Sequence, residues 1–245
     1  MTTHEALHGA RVVVIGGTSG MGRGVAEAAL AAGAEVVVAG RRPIAERGAA
    51  SDPRLIHELV DLANEPSVQQ MFARIGALDH LVVTAAPPPG SWRNFLDDDI
   101  AGAETYLRGK FWGSWAAARH AAPRMPPRGS ISFVTGGIAA RPRAGASIVA
   151  ASFAALENLS RALAIELGPL RVNTIRPGYT DSDMWSFLDP AARDALRARV
   201  AAAMPVRRMG AVADIGHAAV FLMTNPQVTG SILEVTGGET LVDAP

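Results

Sequence analysis

A glycine-rich turn set between a strand and a helix constrains this chain more than any other feature. The β-branched run Val12-Val13-Val14-Ile15 leads directly into Gly16-Gly17-Thr18-Ser19-Gly20-Met21-Gly22, and an Ala-rich helical window follows over Gly22–Ala32. The run has the composition of a buried strand. Gly16 permits a tight turn out of it. Gly20 and Gly22 let the backbone approach a diphosphate and let the helix pack closely on the sheet. The start of such a helix presents unpaired N–H groups and a partial positive charge. Tight turns of many kinds collect glycine, so the preceding strand and following helix are what give this turn its meaning.

The same alternation continues along the chain. Glu35-Val36-Val37-Val38, Leu81-Val82-Val83, Ile131-Ser132-Phe133-Val134, Arg171-Val172-Asn173-Thr174-Ile175 and Leu233-Glu234-Val235 read as strands. Helical windows lie near Ser67–Ile75, Ile100–Ala121, Ser147–Leu167 and Ala213–Leu222. Nearly continuous apolar strands alternating with helices predict an α/β fold, a doubly wound parallel sheet covered on both faces. Ligands of such sheets lie at the carboxyl ends of the strands. With 245 residues and no linker or repeat, the chain reads as one domain over 1–245, with a flexible N-terminus over about 1–8. Pro87-Pro88-Pro89 and Pro126-Pro127 punctuate loops.

Composition narrows the partners. Lys+Arg and Asp+Glu both number 23, so no net field draws the chain to nucleic acid or to an anionic membrane. The absence of cysteine excludes disulfides, thiolate metal sites and a thiol nucleophile, and suits a cytoplasmic protein. Met1 to Gly9 carries His4, Glu5 and His8 and has no apolar core, so it does not read as a signal peptide. The most apolar helical window is interrupted by Glu157, Asn158, Arg161 and Glu166, which argues against a membrane span. No His/Asp/Glu group has metal-ligand spacing, and His120 and His217 read as structural.

The spacing Gly-x-x-x-Gly-x-Gly resembles the cofactor loop of the short-chain dehydrogenase/reductase family, and the likeness runs from Gly9 to about Val242. Ala34 to Val38 resembles the family's second strand, and Asp61-Leu62 its adenine-contacting pair. Asp79 to Val82 resembles the lead into its fourth strand, and Arg171 to Gly178 its sixth-strand signature. Gly230 and Thr236-Gly237-Gly238 resemble its C-terminal stretch. The resemblance implies a Rossmann-type fold that binds a nicotinamide dinucleotide. The residues implied in cofactor contact are Gly16, Thr18, Ser19, Gly20, Met21, Gly22, Arg41, Arg42, Asp61, Leu62, Ala85, Ala86, Pro177, Gly178, Thr180 and Ser182. NAD-using relatives carry an acid after the second strand, whereas this chain reads Gly40-Arg41-Arg42. Guanidinium pairs with a 2′-phosphate that a carboxylate would repel, so the expected cofactor is NADP(H). Solvated surface arginines are the plainer reading of the same two residues.

The reactive end departs from the family. Relatives carry an Asn, a Ser and a Tyr-x-x-x-Lys pair, in which Tyr moves the proton and Lys lowers its pKa and binds ribose. In register with this chain, Tyr106 stands at the Asn, Gly136 at the Ser, Val149 at the Tyr and Phe153 at the Lys. The chain has two tyrosines, Tyr106 and Tyr179, and one lysine, Lys110. None lies between Phe111 and Gly178, so no shift within that helix restores the pair. The turn after the fourth strand, Val83-Thr84-Ala85-Ala86, is altered too. Loss of a positioned acid forfeits about 10²–10⁴ in rate, roughly 3–5 kcal/mol of barrier. Hydride transfer itself is cofactor chemistry.

Two functions follow as expectations. One is an NADPH-dependent reductase of a carbonyl or quinone-like small molecule that uses an unusual proton donor. The other is a silent NADP(H)-binding sensor, scaffold or partner subunit. Candidate donors are Tyr106, Thr135 and Tyr179, each with a structural alternative: a filler, a strand end, a pocket wall. Arg141 and Arg143 are either contacts for an anionic substrate or surface charges. Thr180 or Ser182 supplies the hydroxyl that the resemblance places at the nicotinamide carboxamide. Residues 184–209 take the place of a substrate lid, with Trp185, Phe187, Leu188 and Met204 either lining a pocket or packing the lid down. Family relatives pair through the two helices at Ile100–Ala121 and Ser147–Leu167, which implies a homodimer or homotetramer, with Trp112 and Trp115 at the contact or in the core.

Overall fold

A computed structural model describes residues 6–41, 52–84 and 93–242. Its centre is a parallel sheet of seven strands: β1 (Arg11–Ile15), β2 (Glu35–Gly40), β3 (Leu55–Leu59), β4 (His80–Val83), β5 (Ser130–Val134), β6 (Arg171–Pro177) and β9 (Ile232–Val235). The order is β3-β2-β1-β4-β5-β6-β9, so the direction of winding reverses between β1 and β4. The crevice of a doubly wound fold lies at that reversal.

Strand alternation builds two cores. Val13, Ile15, Leu81, Val83, Ile131, Phe133 and Val172 point to one face, beneath α2 (Glu65–Ile75), α4 (Gly113–Ala121) and α5 (Ser147–Glu166). Val12, Val14, Val82, Val134 and Ile175 point to the other, beneath α1 (Gly20–Ala31) and α7 (Val212–Thr224). Strands covered on both faces need apolar residues at consecutive positions, which is why these runs are nearly unbroken.

Two elements were not legible as such. Strand β3, with the sequence LIHEL, sits at the sheet edge and carries His57 and Glu58, so it lacks the apolar run of a central strand. Helix α6 (Pro190–Ala203) lies inside the stretch read only as a lid. Asp189 caps it, accepting from the Ala192 N–H at 2.8 Å, and Pro190 opens it. The short strands β7 (Thr180–Asp181) and β8 (Gly210–Ala211) pair beside it.

The helix expected as one piece over Ile100–Ala121 is three segments: α3 (Ile100–Leu107), a π-helical stretch Arg108–Trp112, and α4. Gly113, just past the stretch, packs against the Leu62 backbone, an approach a side chain there would block. The Ser114 hydroxyl donates to the Lys110 carbonyl at 2.6 Å, serving a backbone acceptor in the widened turn. Trp112 is half exposed, so it does not belong to the core, whereas Trp115 packs on it.

Helix α5 does have the length and mean hydropathy that would cross a bilayer, contrary to the sequence expectation. Its face bearing Val149, Ala150, Leu156 and Ser160 is buried within the fold, which accounts for that apolar content.

Candidate functional site

The glycine turn closes as its composition requires. Gly16 has φ +87°, a left-handed conformation that suits glycine. A Cβ on Gly22 would collide with the Gly16 carbonyl and the Thr84 hydroxyl, so that position must be bare for α1 to start where it does. Thr84 Oγ1 donates to the Ile15 carbonyl at 3.0 Å and ties the end of β4 to the end of β1. Ser19 precedes α1 in an extended conformation and makes no side-chain cap, so the helix start is not closed by its own residue. Thr18 and Ser19 are exposed, and Met21 packs on the α1/α7 core.

The open helix start already holds an anion. The Gly20 N–H donates to Asp183 Oδ2 at 3.3 Å, across 163 residues of chain. A carboxylate oxygen therefore stands where a phosphate oxygen would be received. Gly40 at the end of β2 lies beside Thr18, whose Oγ1 would be 3.6 Å from a Cβ there, so Arg41 follows at the rim of the same groove with its side chain exposed. The cradle thus fits a dinucleotide, and its phosphorylated ribose would meet Arg41. Arg42, Ala85 and Ala86 lie outside the described residues.

Asp61 is exposed just beyond β3, where its carboxylate accepts the Ala63 N–H at 3.0 Å. Leu62 is buried in the core, and Gly113 packs against its backbone. At the end of β6, Gly178 packs against Thr236 and Glu239. The Thr180 hydroxyl donates to the Gly178 carbonyl at 3.1 Å, and Ser182 Oγ accepts the Met184 N–H at 3.4 Å. Pro177, Thr180 and Ser182 are buried, so this segment is a firm wall facing the glycine loop.

The fold brings together the four positions at which the resemblance places the family's catalytic groups. Tyr106 and Val149 share one apolar cluster with Ile138 and Ala150, and Phe153 packs against it. Gly136 and Phe153 adjoin: a Cβ on Gly136 would be 2.9 Å from the Phe153 ring. Burial pushes the Tyr106 phenol up, so it stays protonated.

Sequence reasoning gave Lys110 no role, yet it is buried in this cluster's floor. Its Nζ donates to the Val134 carbonyl at 2.8 Å and stands 5.3 Å from the centre of the Phe153 ring. Desolvation pulls its ammonium down to about 7. The signal was present in Tyr106-Leu107-Arg108-Gly109-Lys110, a Tyr-x-x-x-Lys spacing on α3 and its π-helical extension rather than on α5.

Thr135 does not serve as a donor to the crevice. Its hydroxyl donates to Glu157 Oε1 at 3.0 Å, and Glu157 in turn holds Arg176 through two contacts of 2.8 and 2.6 Å. Tyr179 stacks on Trp185 with ring centres 5.9 Å apart. Its phenol oxygen accepts from Arg143, whose other Nη donates to Glu239 at 2.8 Å. Arg141 donates to the Val242 carbonyl. Both arginines thus fasten the loop after β5 to the C-terminal segment, and neither is a loose surface charge. Burial raises the Glu239 carboxyl against the opposing pull of Arg143.

The stretch expected to be a lid has a cluster of its own, with Leu196, Val200 and Met204 packed by Tyr179, Trp185 and Leu188. Phe187 is exposed, so packing rather than pocket lining accounts for most of these apolar residues. Asp181 receives Arg193 at 2.5 Å and Arg197 at 2.7 Å, which pins α6 to β7. His120 Nε2 lies 3.1 Å from Glu65 Oε1, a contact between α4 and α2.

A glycine cradle at the reversal point of a seven-stranded parallel sheet defines the class: a dinucleotide-fold α/β protein. The family model described as enoyl-(acyl carrier protein) reductase matches residues 15–240. A short-chain dehydrogenase/reductase, fsr5, of Gibberella fujikuroi is 32% identical, with 96% of each chain covered. A 3-oxoacyl-[acyl-carrier-protein] reductase of Bos taurus is 32% identical over 92% of this chain and 95% of its own. Among solved structures, a small-chain dehydrogenase in complex with NADPH is 32% identical, with TM-score 0.78 over 95% of this chain and 99% of that one. The chain belongs to the short-chain dehydrogenase/reductase family of oxidoreductases.

Proposed function

We propose that the chain binds NADP(H) and reduces a carbonyl or quinone-like small molecule, as an atypical family member whose proton donor is not on α5. The observation that carries this reading is the anion-accepting start of α1, where Gly20 already holds a carboxylate, with Arg41 at the rim of the same groove. The NADPH complex of the similar small-chain dehydrogenase supports the choice of cofactor. Bound NADPH supplies a hydride at the nicotinamide ring. The glycine backbone holds the phosphates, Arg41 discriminates for the 2′-phosphate, and the wall over Pro177–Ser182 orients the reactive end. A carbonyl or quinone suits a site whose neighbouring cluster is apolar and whose polar groups are few.

Calorimetric titration with both cofactors, followed by NADPH oxidation against quinones, diketones and aldehydes, tests the proposal. NADPH binds more tightly than NADH, Arg41→Ala weakens NADPH about tenfold while leaving NADH unchanged, and at least one acceptor is turned over. Equal binding of the two cofactors contradicts the role of Arg41. Tight NADPH binding with no acceptor reduced favours the silent binder.

A further inference from the structure

We propose that the Tyr–Lys pair of this enzyme has moved across a helix interface, with Tyr106 as the proton donor and Lys110 as the residue that positions and recharges it. The inference rests on the reductase reading above and names the groups that carry it out. Tyr106 and Lys110 are four residues apart, on one face of α3 and its π-helical extension, and both are buried. Each abuts one of the two positions left without polar groups on α5. Tyr106 shares the cluster of Val149, and the Lys110 amine lies over the ring of Phe153. The apolar residues on α5 thus form the surface on which the new pair rests.

Three further observations place the pair at the reacting end. Val134, whose carbonyl receives Lys110, is the last residue of β5, at the carboxyl edge of the sheet where doubly wound folds bind their ligands. The Tyr106 hydroxyl makes no hydrogen bond among the described residues. The hydroxyls sealed without a partner there are Ser132 and Ser152, and the hydroxyl of the buried Tyr106 is not one of them. The chain's single lysine is used here, with its amine withdrawn from water at the end of β5.

The chemistry balances. With a bound reduced nicotinamide supplying hydride to the carbonyl carbon and itself being oxidised, the carbonyl would become an alcohol: the Tyr106 O–H bond would break, an O–H bond would form on the substrate oxygen, and the phenolate would regain its proton from the Lys110 ammonium. An ammonium one turn along the same helical run would stabilise the phenolate by charge attraction. An amine that titrates near neutrality can both give and regain that proton.

The single lysine makes the test direct. Protein labelled with [13Cε]-lysine gives one labelled lysine resonance. It should titrate with a midpoint near 7 and should shift on addition of NADP+. Tyr106→Phe, which keeps the ring, should lower kcat about 100-fold or more with NADPH affinity within about twofold. In the wild type, kcat for reduction should fall as pH rises through the lysine midpoint and the ammonium is lost, and Lys110→Met should flatten that profile as well as lower kcat. Wild-type kcat in Tyr106→Phe overturns the proposal, as does a resonance that titrates near the ordinary lysine value of about 10.4 and ignores NADP+. If the wild type binds NADPH and reduces no acceptor, the reductase reading fails, and the lysine resonance still reports separately whether the pair faces the cofactor.

Discussion

Gly136 and Phe153 show how one altered residue constrains another. Gly136 is extended, with φ −179°, a conformation open to any residue, so its backbone does not demand glycine. What demands it is the Phe153 ring, 2.9 Å from where a Cβ would sit. A side chain at 136 and the aromatic ring at 153 compete for the same space. Gly136→Ala should therefore lower stability by about 1 kcal/mol or more, read as a fall in the denaturant midpoint. The loss should shrink in a Phe153→Leu background, where the ring is gone; equal losses in both backgrounds would contradict the contact.

At the scale of the element, the amino end of α1 is the part whose chemistry is most exposed to test. Asp183, on the short helical turn after Ser182, gives its carboxylate to the Gly20 N–H and so occupies part of the phosphate cradle. Like charge would oppose an incoming diphosphate until Asp183 swings aside. Asp183→Asn should tighten NADPH about two- to fivefold in a fluorescence titration, and weaker binding by that variant would show that Asp183 instead assists the cofactor. This element was legible from sequence because the strand, glycines and helix that make it are contiguous from Val12 to Ala32. Helix α5 and the α3–α4 run were legible as helices, but the π-helical stretch was not. Nothing local marks it, and Gly113, at its end, packs against Leu62, a residue far away in the chain.

At the scale of the molecule, the central strands were legible from β-branched runs because parallel strands buried on two faces leave little room for polar residues, whereas their order in the sheet was not. The edge strand β3 escaped because solvent on one side relaxes that rule and admits His57 and Glu58. The glycine cradle of the candidate site was readable for the same reason as α1: its residues sit in one contiguous motif at a strand end. The cluster around Tyr106 was not, because it depends on which side chains of α3 meet which side chains of α5. Nothing in the local pattern around Tyr106 or Val149 states that they share a cluster. Tyr179 and Arg143 were likewise visible only as separate residues, although the fold joins them directly and ties Arg143 to Glu239 as well.

The central claim is that one crevice at the carboxyl edge of the sheet holds the dinucleotide between Arg41 and the Tyr106–Lys110 face. A crystal structure of the protein with NADPH tests it most directly. The account predicts the diphosphate at the Gly20 N–H with Asp183 displaced, the 2′-phosphate on Arg41, and the nicotinamide turned toward Tyr106. A crevice still closed by the Asp183–Gly20 contact at saturating NADPH, or a nicotinamide turned away from Tyr106, would contradict it.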